Sequence, residues 1–381
     1  MIIRNASVFT EDCNFVDKDI YIANGCFSSE TDARKDGRLF DASGCYAIPG
    51  LTDIHFHGCM GYDFSDGTME ALDNLASYEA TAGVTNIVPA TMTLSKDTLL
   101  NICHTAKNYA ESRQDPRKAR FQGINLEGPF ISEKKKGAQN SDFILEPDLA
   151  FFDQLNEASG NRIKLLALAP EKPKAMELIE KRQQQVVISL AHTCTDYDTA
   201  MLAFEKGAKH VTHLYDAMEP FTHRSPGPIG AAADCKNVEV ELICDGIHIH
   251  PAAVRATFQL FGDERIILIS DSMRATGLSD GDYTLGGQSV KVKGSLATLV
   301  DGTIAGSVTN LFDCMRNAVL NIGIPLESAV KCAAVNPAKS IGIYDQYGSI
   351  SVGKKADVLL LRKSNLSLFQ VLLEGAFISS S

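Results

Sequence analysis

Short apolar runs alternate with amphipathic segments through most of this chain. Leu51–His55, Asn86–Ala90, Gln122–Leu126, Leu165–Leu168, Val187–Ala191, His210–His213, Val240–Ile243 and Ile266–Ser270 read as buried strands. Met69–Ala82, Lys96–Arg113, Lys174–Arg182, Thr195–Lys206 and Pro251–Phe261 carry a helical period between most of them. Apolar strands separated by helices signal a parallel sheet with helical crossovers. Eight strands in about 220 residues match the count and scale of a (β/α)8 barrel. A doubly wound open sheet is the alternative, but no GxGxxG follows a strand to support it.

The two ends follow a different period. Ile2–Phe9 and Asp19–Phe27 are β-like, the second broken by Asn24-Gly25, a hairpin signal, and Leu39–Gly44 continues the pattern. Gly348–Leu361 is β-like again. Neither end has enough apolar surface for its own core. The expectation is therefore an α/β chain with a catalytic barrel over residues 49–347 and one small β-sandwich built jointly from residues 1–48 and 348–381.

Composition narrows the partners. Hydrophobic residues make up 45% and charged residues 22% of the 381, which is globular. The net charge of −11 is spread along the chain and argues against nucleic acid or an anionic membrane as partner. A negatively charged substrate then needs local cations. Ten cysteines at irregular spacing, with no CxxC pair, read as reduced thiols of a cytoplasmic protein. The N-terminus lacks a charged leader followed by an apolar core, and no apolar stretch reaches membrane-spanning length.

Candidate chemistry gathers where the predicted strands end, the side of a barrel that carries function. His55 and His57 close the first strand, and alternation along a strand lets both imidazoles aim at one point. Glu127 follows the third strand, His192 the fifth, His213 ends the sixth, and the eighth runs into Asp271. Each has a bland reading: a core histidine for His192, a strand cap for His213, a buried ion-pair partner for Glu127, an N-cap for Asp271. Their joint placement points instead to a one- or two-metal hydrolytic site, with zinc the first choice and ferrous iron the second. Asp271, the lone carboxylate at the eighth strand end, suits a general base that then acts as general acid. His104 and His210 lack this placement and read as structural, and His250 before Pro251 reads as a helix start. Arg224 and His248, in the loops after strands six and seven, offer cationic donors suited to phosphate oxygens.

These segments resemble the amidohydrolase superfamily and, within it, the deacetylases of N-acetylated amino-sugar phosphates. The likeness covers nearly the whole chain. It rests on Pro49-Gly50-Leu51-Thr52-Asp53-Ile54-His55-Phe56-His57-Gly58, Leu126-Glu127-Gly128-Pro129-Phe130-Ile131, Ala191-His192-Thr193 and His213-Leu214-Tyr215-Asp216-Ala217-Met218. His223-Arg224-Ser225-Pro226-Gly227, Asp245-Gly246-Ile247-His248, Ser270-Asp271-Ser272-Met273 and Ile304-Ala305-Gly306-Ser307 complete it.

The resemblance implies hydrolysis of the acetamide of N-acetylglucosamine 6-phosphate by metal-activated water. It implies a main metal on Glu127, His192 and His213, and a second, bridged by the glutamate, on His55 and His57. Arg224, His248 and the backbone of Asp216 and Ala217 would hold the sugar phosphate, with Ala138, Gln139, Ile304, Ala305 and Gly306 also lining the substrate. It further implies a homodimer whose phosphate site crosses the interface.

Two positions depart from the family pattern. Gln139 stands in Lys136-Gly137-Ala138-Gln139 where many members have a histidine, and Asp216 stands where asparagine is common. A carboxylate beside a phosphate is repulsive unless it turns away or is neutralised. Two further readings stay open: an amidohydrolase acting on another amide or amino sugar, sharing the metal site but differing in the loops of Arg224 and His248, and a non-catalytic scaffold, which would be expected to lack ligands present here.

Overall fold

The structure, a computed structural model, describes residues 1–112 and 115–378. Its centre is a parallel (β/α)8 barrel. Leu51–Asp53, Val84–Ile87 and Arg120–Phe121 form one parallel set, and Ile124–Glu127, Ile163–Leu168, Val187–Leu190, His210–Val211, Glu239–Ile243 and Ile266–Ile269 form the next. A bridge from Ala90 to Asn125 joins the two sets. The ring closes where Asp271 N donates to the His55 carbonyl (3.0 Å) and Ser270 Oγ donates to Asp53 Oδ2 (2.5 Å).

The third strand, expected as the unbroken run Gln122–Leu126, is split. Gly123 adopts φ 151°, and a Cβ there would lie 2.4 Å from the Arg162 carbonyl oxygen. Only glycine lets the neighbouring strand come that close.

Helices begin where a polar side chain satisfies a first-turn N–H. Thr68, Ser95 and Asp196 cap Met69–Thr81, Lys96–Glu111 and Tyr197–Glu205 in this way. Arg113, the expected end of the second of these, lies outside the described residues. His250 accepts from Ala252 N (3.2 Å) as the cap of Pro251–Phe261. His104 is exposed on its helix, and His210 is buried with Nδ1 against Ser189 Oγ (2.9 Å).

The β-sandwich is realised as one hydrogen-bonded sheet of eight strands drawn from both ends of the chain. Ile2–Phe9 is central, pairing with Phe15–Ala23, Leu39–Asp41 and Cys45–Pro49. Cys45–Pro49 in turn pairs antiparallel with Val358–Arg362. Met1, Ile3, Val8, Ile22, Val358 and Leu360 belong to an apolar cluster separate from that of the barrel wall. Asn24 and Gly25 take φ 54° and 76°, the left-handed pair a tight hairpin needs. The expected β run Gly348–Leu361 is strand only from Val358; the stretch before it turns at Gly348 and Gly353, both at positive φ.

An antiparallel sheet of Gly281–Leu285, Gln288–Lys293 and Leu296–Leu299 projects after the eighth strand, with Gly286-Gly287 at its first turn. The sequence pattern alone marks no separate element there. Among the described residues, no helix is long and apolar enough to cross a membrane, and all ten cysteines are unpaired.

Candidate metal centre and active site

Cross-strand pairing shows which side chains share the barrel interior. Glu127 pairs with Ala167, Ala167 with Ser189, Ser189 with His210, and Glu241 with Ile267, so these positions face one side. His55, His192, His213 and Asp271 lie just past the ends of their strands. His192, His213 and Asp271 adopt φ 44°, 28° and 48°, a left-handed backbone that non-glycine residues enter at a cost. That turn stops each strand and leaves the residue at the mouth.

The first strand behaves differently from the alternation argument. Regular pairing ends at Asp53, so His55 and His57 lie beyond it. Asp53 Oδ1 accepts His55 N (3.1 Å), bending the chain there, and burial pushes the Asp53 carboxyl up to about 7. The two rings nevertheless converge, 5.6 Å apart.

Glu127 is the hub. Its Oε1 lies 3.0 Å from His192 Nε2, 3.1 Å from His213 Nε2 and 3.5 Å from His55 Nε2. Its Oε2 lies 3.3 Å from His57 Nε2 and accepts from Gln139 Nε2 at 2.7 Å. Asp271 Oδ1 lies 3.3 Å from His57 Nε2 and 3.8 Å from His55 Nε2. Two metal-sized groups result: Glu127 with His192 and His213, and Asp271 with His55 and His57.

The donor chemistry fits a divalent metal. Every Nδ1 has an oxygen partner: Glu241 for His55 (2.8 Å), the Ala90 carbonyl for His57 (3.2 Å), the Lys135 carbonyl for His192 (2.9 Å) and the Asp216 carbonyl for His213 (3.2 Å). A neutral imidazole, the form that binds a metal, has one N–H; with that N–H on each Nδ1 acceptor, four Nε2 lone pairs become free for a metal between the two carboxylates. His55 Nε2 is buried with no hydrogen-bond partner. Imidazole and carboxylate donors of this kind suit zinc or ferrous iron.

Crowding sets the electrostatics. Burial acts to raise Glu127 and Asp271, but the facing imidazoles outweigh it and hold Glu127 well below, and Asp271 below, the usual carboxylate range. Burial acts to lower His57, and its contacts with Asp271 and Glu127 lift it instead to about 10.

A cavity of about 270 Å³ opens over these groups, the scale of a small-molecule site. Ala138, Gln139, Asp216, Ala217, His248, Ile304 and Gly306 line it with His57, Glu127, His192, His213 and Asp271. Ala305, expected to line the substrate, is buried in an apolar cluster with Met92 and Leu285 and does not line the cavity. Arg224 stands on the exposed loop Phe221–Ser225 and does not line the cavity. A larger groove of about 990 Å³ along Tyr283 and Val290 holds none of these residues.

His248 Nδ1 donates to Asp245 Oδ2 (2.8 Å), and Asp245 Oδ1 accepts Ile247 N and His248 N. Burial works to lower His248, yet the Asp245 carboxylate raises it to about 9, which leaves a cation at the cavity wall. Asp216 is pushed up to about 6 by burial, and its Oδ2 has no partner. Met92 and Leu285 also line the cavity, with Gly137 and Thr303, and carry no chemical signal in the sequence. Glu241 does carry one: a lone acid inside the apolar run Val240–Ile243.

The profile of the Amidohydrolase family matches residues 46–377. This chain belongs to that family. The amidohydrolase is 38% identical over 338 residues to the N-acetylglucosamine-6-phosphate deacetylase of Bacillus subtilis (strain 168), covering 87% of this chain and 85% of the relative. It is 34% identical over 382 residues to an N-acetylgalactosamine-6-phosphate deacetylase of Escherichia coli O157:H7, covering 99% of each. Its fold superimposes on a mutant N-acetyl-D-glucosamine-6-phosphate deacetylase of Mycobacterium smegmatis in complex with N-acetyl-D-glucosamine-6-phosphate. That match has a TM-score of 0.91 at 29% identity, over 99% of this chain and 98% of the other.

Proposed function

We propose that this amidohydrolase hydrolyses the acetamide of N-acetyl-D-glucosamine 6-phosphate to D-glucosamine 6-phosphate and acetate, in amino-sugar catabolism. The observation that carries the reading is one small cavity lined by Glu127, His192 and His213, by His57 and Asp271 of the second group, and by the His248 cation. Relatives of that activity across most of the chain support it.

Glu127, His192 and His213 would hold one divalent metal, and His55, His57 and Asp271 would hold a second, zinc being favoured. When bound, the metal supplies Lewis acidity and lowers the pKa of water toward neutrality. Asp271 takes a proton from the attacking water as its oxygen bonds to the acetyl carbon. It then delivers that proton to the amide nitrogen as the C–N bond breaks. Gln139 steadies Glu127, and His248 with the backbone of Asp216 and Ala217 receives the phosphate.

Arg224 is assigned to the phosphate of a partner subunit in a homodimer, which fits its exposed loop beside Phe221, 52% exposed. Ten free thiols favour a reducing compartment, the cytoplasm.

Acetate release from N-acetylated sugars with and without 6-phosphate tests the substrate. Chelator should abolish turnover and zinc restore it. Equal rates on the free and phosphorylated sugar, or full activity in metal-free protein, would contradict the reading. A second reading, the 4-epimer N-acetylgalactosamine 6-phosphate, is favoured by the unpartnered Asp216 Oδ2 and by the relative of that specificity. A higher kcat/KM for the galacto substrate would select it.

A further inference from the structure

Three of the four imidazoles are anchored through Nδ1 by backbone carbonyls; His55 alone is anchored by a side chain, Glu241. Glu241 is wholly buried on the inner face of Glu239–Ile243. Its Oε2 accepts from His55 Nδ1 at 2.8 Å and from the His213 backbone N at 3.1 Å. Its Oε1 has no hydrogen-bond partner, and the buried His210 Nε2, likewise unpartnered, lies 3.9 Å from it. A buried carboxylate satisfied on one oxygen is costly, and an apolar or amide residue would occupy this strand position more cheaply.

The return on that cost lies in the ring it holds. A carboxylate accepting Nδ1–H fixes the tautomer and tilt of the imidazole and makes Nε2 a stronger donor. His213 keeps its own ring anchor on the Asp216 carbonyl, so loss of Glu241 would deprive His55 alone of one. We infer that Glu241 is a positioning residue that sets whether the His55–His57–Asp271 group retains its metal, while the Glu127–His192–His213 group holds its metal without it. The inference rests on the two-metal reading above.

The test uses full-length protein loaded with zinc, wild type beside Glu241→Gln and Glu241→Asp. Elemental analysis after dialysis against buffered zinc gives metal per chain, and competition with a chromophoric chelator gives each dissociation constant. Wild type is expected to hold two ions. Glu241→Gln should keep one tight site and weaken the other by about 10- to 100-fold. Glu241→Asp, with the charge drawn back by a methylene, should fall between, and it carries the test if the Gln variant does not fold. Unchanged affinities at both sites overturn the inference. So does equal weakening of both sites with a lower melting temperature of the metal-free variant, the mark of a merely structural role. Fewer than two ions in wild type overturns the two-metal reading itself, and the inference with it.

Discussion

Gln139 spans Glu127 and Thr93: its Nε2 donates to Glu127 Oε2 at 2.7 Å, and its Oε1 accepts Thr93 N at 2.6 Å. Both ends of the amide are engaged, so the side chain orients the carboxylate at the hub. Gln139→Ala should lower kcat/KM by about 10- to 100-fold, as loss of a group that orients a metal ligand does. Gln139→Glu should lose more, because it sets a second carboxylate against Glu127. Steady-state kinetics with acetate detection reads both.

Asp271→Asn keeps the size of the side chain while removing its basicity and weakening its contact with the second ligand group, so metal content is measured beside turnover. Turnover should fall by about 10²- to 10⁴-fold, the usual worth of a positioned general acid–base, with little change in melting temperature. Near-normal turnover would assign the proton transfer to another group.

His248 carries its charge below about pH 9 and loses it as the pH rises through that value, because Asp245 holds its pKa up. KM for the phosphorylated substrate should therefore rise above about pH 9. In Asp245→Asn the same transition should move toward neutral pH. A pH profile of kcat/KM on both proteins checks the direction.

Arg120 joins the barrel to the terminal sheet. Its guanidinium forks onto Asp357 at 2.6 and 3.2 Å and reaches Glu374 at 3.0 Å. The Asp357 side chain is only 5% exposed. Arg120→Met leaves that carboxylate buried and unpaired, which should cost about 3–5 kcal/mol. Urea unfolding should show a lower midpoint.

The barrel is legible in the chain because each wall strand is a short apolar run and each candidate ligand follows such a run closely. Glu127, His192, His213 and Asp271 announce themselves by position alone. What the sequence hides has a physical reason in each case. Histidine and aspartate enter the left-handed backbone more readily than most residues, but they do so at few of their positions, so residue type alone does not mark His192, His213 or Asp271 for it. His55 and His57 converge through a bend capped by Asp53 rather than through strand alternation. Glu241 and Asp245 act through a neighbouring imidazole, and period reveals which side a residue faces but not what it touches. Arg224 lies in a loop whose direction no local pattern sets.

The pairing of Cys45–Pro49 with Val358–Arg362 has a consequence for synthesis. While the polypeptide emerges, the early strands wait with an open edge as the whole barrel is made between the two halves of their sheet. Arg120 waits for Asp357, 237 positions downstream. At about 5–20 residues per second, that is a gap of roughly ten to fifty seconds. Throughout it the edge of Cys45–Pro49 is open to other strands, including those of a sister chain on the same message. The order of translation thus makes the amino-terminal strands the segment most dependent on chaperone cover, and the arrival of Val358–Arg362 the event that releases it.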